Sequence, residues 1–138
     1  MKRVPQNLLD YPGDGYYYLR QAPFTGVAFS LREDGSLKSE TEYQHGLKWG
    51  LDRYWFDPDS LQSEGEMQRG VLHGMERLWH PNGKLKEEGH YEFGIALRKR
   101  EWDENGNLVG DFELKESDSN YGLLQTFREI EKKRSANS

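Results

Sequence analysis

Acidic side chains recur along this sequence at a regular spacing that could place them on one surface. The residues are Glu40, Glu42, Glu64, Glu66, Glu88 and Asp111. Two neighbouring carboxylates act as general acid and base in many hydrolases, provided that an apolar pocket raises the pKa of one of them. The sequence predicts no such pocket. These residues therefore favour electrostatic binding of a basic partner over acid–base catalysis.

Histidine and cysteine give no catalytic or metal-binding pattern. His45 and His73 each precede a glycine and His80 precedes Pro81, positions that are typical of turn residues. His45 and His73 are also too far apart, at 28 residues, to have the spacing of local metal ligands. The chain has no cysteine, which excludes a disulfide framework and a cysteine-based zinc site. We expect no catalytic residue, no metal ion and no cofactor, and a protein that is not an enzyme.

The elements that position these residues form a repeat with a period of 24 residues. Four series share the period: Gly26, Gly50 and Gly74; Leu37, Leu61 and Leu85; Tyr43, Met67 and Tyr91; Gly46, Gly70 and Gly94. A further copy lacks one residue, which we assign to its turn, and has Leu97 in place of the glycine. Such a period indicates a small unit that stacks on its neighbours.

Each unit predicts a β-hairpin. In one unit the strands cover about residues 50–56 and 61–68, with Asp57-Pro58-Asp59 between them. The equivalent turns contain Asp34-Gly35, Asn82-Gly83 and Asn105-Gly106, pairs that tolerate the positive φ of tight turns. We predict a mainly β fold, an elongated antiparallel meander of hairpin repeats.

The two ends of the chain depart from the repeat. Residues 1–25 predict a degenerate unit, with a turn at 12–15 and a strand at 16–19. Near the other end, helical periodicity predicts a C-terminal amphipathic helix with an apolar stripe of Leu123, Phe127 and Ile130, beside Leu124. The candidate N-caps are Asp118, Ser119 and Asn120. We expect this helix to cover the open edge or face of the last hairpin.

Length, composition and charge agree with this architecture. At 138 residues the chain is expected to be one domain over residues 1–138, with hairpin repeats in 8–114 and a polar linker and helix in 115–138. Residues 33–118 hold 20 acidic against 11 basic residues, a net charge of −9 within a chain of −5. This acidity disfavours nucleic-acid binding. No segment is apolar enough for a signal peptide or membrane span, so we expect a cytoplasmic protein.

Two stretches of the array resemble a known repeat. Residues 43–50, Tyr-Gln-His-Gly-Leu-Lys-Trp-Gly, and residues 79–89, with Asn82-Gly83-Lys84-Leu85, are similar to MORN repeats of the variant type. Residues 8–114 as a whole resemble the YwqK-type antitoxin or immunity proteins of bacteria. Leu97 and Met67 depart from the pattern, and the C-terminal helix lies outside it. The resemblance implies a hairpin-repeat fold and a protein that neutralises a toxin made beside it.

Alternation along the second strand of each unit separates two faces. In one unit Leu61, Gly65 and Met67 fall on one face, while Glu64 and Glu66 fall on the other. Seven carboxylates in all recur on the second face: Glu40, Glu42, Glu64, Glu66, Glu88, Asp111 and Glu113. This pattern has two explanations, a solvated repeat surface or an acidic surface that fits a basic groove of a partner.

The tryptophans have two explanations as well. Trp55, Trp79 and Trp102 occupy matched positions on the first strands, at intervals of 24 and 23 residues. They either fill the inside of a twisted sheet or form part of an exposed binding surface, where Trp is enriched. We select Trp55 and Trp79 as possible partner anchors, together with the first six carboxylates named above.

The leading hypothesis is an immunity protein or antitoxin that binds a cognate toxin domain and occludes it. The alternative is a scaffolding or membrane-surface module with weak lipid association, because some MORN proteins have that role. The acidic field opposes the alternative, since anionic lipids attract basic segments, and only Arg128 and residues 132–134 supply a basic cluster. The sequence leaves the oligomeric state open.

Overall fold

A computed structural model of the chain describes residues 2–137. Its elements are β1 (Arg3–Pro5), a short 3-10 helix (Gln6–Leu8), β2 (Tyr18–Leu19), β3 (Ala22–Pro23), β4 (Gly26–Leu31), β5 (Leu37–Gln44), β6 (Leu47–Asp57), β7 (Ser60–Gln68), β8 (Val71–Trp79), β9 (Leu85–Glu92), β10 (Ile95–Trp102), β11 (Leu108–Glu113) and helix α1 (Ser119–Ala136).

Nine strands form one sheet in the order β1-β4-β5-β6-β7-β8-β9-β10-β11. From β4 onward each strand pairs antiparallel with its neighbour in sequence. The predicted mainly β meander with a C-terminal helix is therefore confirmed. The exception is β1, which lies parallel to β4 with Val4 opposite Ala28. Three residues carry too little alternation to reveal such a strand from sequence.

Backbone hydrogen bonds link each repeat to the one before it at the turns between units. Gly46 N donates to Phe24 O, Gly70 N to Lys48 O and Gly94 N to Leu72 O, at 2.8–2.9 Å. The residue before each glycine, such as Arg69, has a positive φ of about 50°. These links consist of two-residue turns. The following glycines, Gly50 and Gly74, lie inside strands β6 and β8 rather than in the turns.

Each of those glycines sits in a bulge. Between the pairs Thr41–Asp52 and Tyr43–Lys48, three residues of β6 face the single residue Glu42 of β5. The same geometry recurs between β7 and β8 around Gly74. Between β9 and β10 the bulge is smaller, because Leu97 alone is inserted. The residue missing from the last repeat is therefore lost from this bulge, and its assignment to the turn is wrong.

A second irregularity recurs near the tip of each hairpin. The register shifts between Tyr54 and Trp55, so that Trp55 faces Leu61 although Tyr54 faces Ser63. Equivalent shifts occur in the three other hairpins. Strict alternation therefore ends at this shift. Leu61 lies on the face of Trp55, so the prediction that it shares a face with Gly65 and Met67 is wrong.

The N-terminal segment differs from the predicted degenerate unit. Of the strand predicted at 16–19, only Tyr18 and Leu19 form a strand, and they pair with β3 in a separate two-stranded sheet. The buried cluster of the protein lies where this segment meets the sheet, and it consists of Val4, Phe24, Ala28 and Tyr43, with Leu9, Tyr17 and Leu19 packed against it. The N-terminal end of the array is therefore closed by the chain's own aromatic side chains.

Helix α1 begins after Asp118, which occupies the N-cap position, although its carboxylate accepts a hydrogen bond from Lys115 N instead of a helix N–H. Leu124 is buried, whereas Leu123 and Ile130 are each 47% exposed, so the predicted apolar stripe is wrong in two of its three positions. The third, Phe127, packs on Phe93 with ring centroids 5.5 Å apart.

The helix is anchored on the turns between repeats. Arg128 donates two hydrogen bonds to Glu92, and Arg69 forms an ion pair with Glu131. Glu92, Phe93 and Arg69 all lie at or beside those turns. The expectation that α1 covers the open edge or face of the last hairpin is therefore wrong. The two ion pairs, the Phe127–Phe93 contact and the burial of Leu124 together define the docking site of the helix.

Candidate functional site

The predicted acidic residues belong to a row of alternating charges that crosses the sheet. Successive register partners in this row, from β5 to β11, are Glu40, Arg53, Glu64, Arg77, Glu88, Arg100 and Asp111. We call these seven residues the charge ladder. Sequence reasoning placed the carboxylates on one face but missed the arginines, because it considered only the second strand of each hairpin.

Each arginine of the charge ladder pairs with the acid of its own hairpin. Arg53 Nε lies 2.7 Å from Glu64 Oε2, Arg77 Nε 2.8 Å from Glu88 Oε2, and Arg100 Nε 3.6 Å from Asp111 Oδ1. At the other end, Arg3 reaches Glu40 at 2.8 Å and stacks over the Phe29 ring. The acids of the charge ladder are thus compensated by arginines that the predicted acidic face did not include.

A signal for these arginines is present in the sequence. Arg53, Arg77 and Arg100 each precede their acidic partner by 11 residues. That distance spans one hairpin turn and brings the two residues into register. A search for basic residues at the period of the acids finds them.

Glu42 and Glu66 have a structural role next to the bulges. The Glu42 carboxylate accepts a hydrogen bond from the backbone N–H of Leu51, inside the bulge of β6. A Cβ atom built on Gly50 would overlap the Glu42 Oε2 atom, and one built on Gly74 would overlap Glu66 Oε2. The carboxylate therefore occupies the space that the glycine leaves open, and it satisfies a backbone donor that the bulge removes from the ladder of strand hydrogen bonds.

Trp55 and Trp79 are half-buried and face Leu61 and Leu85 across their hairpins. The backbone carbonyls of two residues in this series bind side chains from the preceding repeat. Arg32 donates to Trp55 O, and the His80 ring lies 2.9 Å from Trp102 O. The backbones of Trp55 and Trp102 therefore join adjacent repeats, while the half-buried side chains of Trp55 and Trp79 remain partly accessible.

Three of the four histidines serve the fold. His80 is buried and forms the bond to Trp102 O described above. Phe93 N donates to His73 Nδ1 at 3.1 Å, and the two rings meet edge to face. His45 lies in a turn with a φ of 49°. Within residues 2–137 no group of three or more His, Cys, Asp or Glu side chains is arranged to hold a metal ion.

The opposite face of the sheet carries acids that sequence reasoning missed. Asp52, Gly65 and Glu76 are register partners on β6, β7 and β8. They line a depression of about 280 Å³, whose other lining residues are Tyr54, Ser63, Met67 and Leu72. Burial, and then the nearby Glu87, raise the pKa of Glu76. Lys99 forms ion pairs with Glu87 and Glu101, and its hydrogen bond to Glu87 raises the pKa of Lys99.

The basic cluster of the helix is also partly neutralised. The Arg128 hydrogen bonds to Glu92 lower the pKa of that carboxyl group, and the Arg69 hydrogen bond lowers the pKa of Glu131. Arg134 lies 3.4 Å from Glu131 as well. Two members of the predicted basic cluster therefore have acidic partners on the protein itself. In the described part of the chain, no helix is both long and apolar enough to cross a membrane.

Comparisons with known proteins agree with the repeat architecture. Residues 72–92 match the MORN repeat variant family. The chain is 48% identical over 126 residues to the immunity protein YwqK of Bacillus subtilis strain 168, an alignment that covers 91% of this chain and 79% of that relative. No solved structure matches the chain significantly. The resemblance found from the repeat residues is confirmed.

Proposed function

The chain belongs to the family of the immunity protein YwqK, and on that premise we propose that it is itself an immunity protein, an antitoxin that binds a cognate bacterial toxin and occludes it. The observation that carries the proposal is the 48% identity to YwqK over 91% of the chain. The proposed role is stoichiometric binding in the cytoplasm without a catalytic step. The partner is a toxin domain, which is a protein rather than a nucleic acid or a membrane.

The architecture supports this role because a single sheet presents long polar surfaces. The carboxylates of the charge ladder remain reachable, with side-chain exposures from 23% for Glu40 to 43% for Asp111. A basic toxin surface can compete with Arg77 for Glu88, and the displaced guanidinium of Arg77, whose side chain is 42% exposed, can be solvated by water. Such exchange favours specificity and association rate more than affinity.

The six predicted carboxylates and two tryptophans would all contribute to toxin binding, in distinct ways. Glu40, Glu64, Glu88 and Asp111 would supply charge complementarity through the charge ladder. Glu42 and Glu66 would act indirectly, by holding the bulges in shape. Trp55 and Trp79 would supply apolar contact area, since half-buried Trp side chains can bury their exposed part against a partner.

Co-expression tests the proposal. The reading frames next to the gene for this chain would be expressed singly in a heterologous host, with and without the chain. The proposal predicts that one of them arrests growth, that the chain restores growth, and that the two proteins co-purify. An unrelated toxin serves as the control and should not be neutralised. The proposal is wrong if no neighbouring product is neutralised or bound.

A further inference from the structure

The two edges of the large sheet differ in how they are protected. At one end, β1 has three residues, includes Pro5 and leads directly into the 3-10 helix. At the other end, β11 has six residues without proline or lysine and pairs only with β10. Short strands, proline and lysine are the usual means of blocking an edge. The β11 edge has none of these three, and its protective features are the acidic residues Asp111 and Glu113 and the register shift at Trp102.

The hydrogen-bonding groups of β11 that face outward can be identified. Leu114 N donates to Leu97 O at 2.8 Å, so the backbone of Leu114 points toward β10. Backbone N–H and C=O groups of successive residues in a strand point to opposite sides. The N–H and C=O groups of Asp111 and Glu113 therefore point away from β10, toward the open edge. They are arranged to pair with a further strand.

Neighbouring segments leave this edge accessible. The exposed fractions are 53% for Leu108, 64% for Val109 and 43% for Phe112. Helix α1 does not shield the edge, because its ion pairs hold it against Arg69 and Glu92, at the turns of earlier repeats. Exposed apolar side chains on an unpaired strand are a typical site for the addition of a partner strand.

Charge along the sheet defines what that strand must carry. Inside the charge ladder, Glu64 lies between Arg53 and Arg77, and Glu88 lies between Arg77 and Arg100. Asp111 has Arg100 opposite it and Arg98 at 3.8 Å, both from β10, and no cation on its outer side. Glu113, two residues further along β11, likewise faces Arg98 on one side only. Both acidic positions thus lack a cross-strand partner at the edge.

We propose that the β11 edge binds an extended segment of a partner protein with the pattern basic–apolar–basic. The two basic residues would lie opposite Asp111 and Glu113 on one face, and the apolar residue between them would lie beside Phe112 on the other face. A second copy of this chain does not fit, because pairing β11 with itself brings Asp111 and Glu113 against the same carboxylates. The inference rests on the proposed function only for the partner's identity as the toxin.

Two synthetic peptides test the edge without knowledge of the toxin. Both are ten-residue alternating peptides, one with Arg-Val-Arg at its centre and the other with Glu-Val-Glu. Binding to the full chain is followed by NMR amide shifts. The Arg peptide is expected to bind and to shift the amides of Asp111 and Glu113, whereas the Glu peptide should not bind. Equal binding of both peptides, or Arg-peptide shifts confined to other strands, would overturn the proposal.

Substitutions at the edge separate charge from backbone pairing. Glu113→Gln removes the charge and keeps the outward N–H, whereas Glu113→Pro removes both, so the additional loss with proline measures strand pairing. Asp111→Lys/Glu113→Lys should lower the affinity for the Arg peptide by about tenfold or more and should permit the Glu peptide to bind. Glu104→Lys/Glu116→Lys is the matched control with the same change in net charge, and it should leave binding within about twofold.

The results distinguish this proposal from the proposed function. If the proline variant does not fold, which circular dichroism would reveal, the charge-reversal variant still decides the outcome. Unchanged peptide binding in the charge-reversal variant, or an equal loss in the control, contradicts the edge. If the proline variant and the charge-reversal variant still bind and neutralise a toxin that the original chain neutralises, the edge assignment is wrong while the proposed function stands.

Discussion

Arg77 on β8 lies directly opposite Glu88 on β9, with its Nε 2.8 Å from Glu88 Oε2. The acid of the preceding hairpin, Glu64, faces the same arginine from the other side. One cation thus lies between two acids that would otherwise face each other two strands apart, at about 10 Å. This arrangement makes a surface with many acidic residues compatible with a stable sheet.

The central arginine of the charge ladder should stabilise the fold. We expect Arg77→Met, which keeps most of the apolar stem, to lower the free energy of unfolding by about 0.5–1 kcal/mol, because Glu88 loses its partner and both acids lose a neighbouring cation. The loss should shrink in 1 M salt, where charges are screened. Urea unfolding measures it. Lys86→Met, an exposed site on β9 with the same charge change, is the control, and an equal effect there would contradict the role of the charge ladder.

The bulge glycines are required for two reasons that a pair of variants can separate. Gly50 has a φ of 108° and the carboxylate of Glu42 in the space of its missing Cβ, whereas Gly83 has a φ of 89° and no neighbour there. We expect Gly83→Ala to cost about 1 kcal/mol from backbone conformation alone, and Gly50→Ala to cost at least twice that. Chemical unfolding measures both values.

A second substitution tests the cause of that difference. Glu42→Ala should recover part of the stability lost in Gly50→Ala, because it removes the clash, while it should do nothing for Gly83→Ala. If the two glycine variants are equally unstable, the carboxylate does not fill the bulge as described.

The raised pKa of Glu76 predicts a stabilising substitution. Burial and the nearby Glu87 favour its protonated form in the folded protein, so the pKa is higher folded than unfolded. Ionisation of Glu76 therefore lowers the free energy of unfolding as the pH rises past the unfolded pKa and then the folded pKa. Glu76→Gln should stabilise the protein at pH 7 by about a few tenths of a kcal/mol after solvent screening, and by nothing near pH 3. Glu64→Gln, which loses an ion pair, should destabilise it at pH 7. Thermal unfolding at both pH values distinguishes the two, and a loss of stability in Glu76→Gln at pH 7 would refute the assignment.

Acid should loosen helix α1 before it unfolds the sheet. Hydrogen bonds from Arg128 and Arg69 lower the pKa of Glu92 and Glu131 in the folded state. Their contribution is complete above the unfolded pKa of about 4.3, and it is lost as the pH falls through the lower folded values. NMR signals of Leu124 and Phe127 should therefore report detachment below about pH 4. In Glu92→Gln/Glu131→Gln the helix should already be loosened at pH 7, and a firmly docked helix in that variant would contradict this anchoring.

The period of 24 residues was enough to predict the hairpins, their turns and the face that carries Glu40, Glu64, Glu88 and Asp111, whereas the acids of the opposite face, Asp52 and Glu76, were missed. The bulges were not predictable by counting alternation, because the extra residue at the Trp55 register shift moves Leu61 to the other face while the rest of β7 keeps its faces. The structural role of Glu42 and Glu66 could not be predicted from the sequence either. A carboxylate that caps a bulge cannot be distinguished, in the sequence, from one that faces a partner.

Elements that depend on long-range docking were also beyond sequence analysis. Helical periodicity favoured Leu123 and Ile130. The helix instead docks through Phe127 on Phe93 and through ion pairs to Arg69 and Glu92, which lie 62 and 36 residues from their partners in the helix. Strand β1 has only three residues and joins the sheet beside β4 through a parallel pairing that no local pattern encodes. The open β11 edge follows from this docking and became visible only in the structure.

Titration of the purified toxin's activity with this chain tests the central claim most directly. A toxin encoded beside the chain would be assayed on its own substrate while the chain is added in increasing amounts. The proposed role predicts that activity falls linearly to zero at one equivalent of chain and that the two proteins co-elute as a complex. Full toxin activity at a large excess of the chain, with the proteins eluting separately, would contradict it.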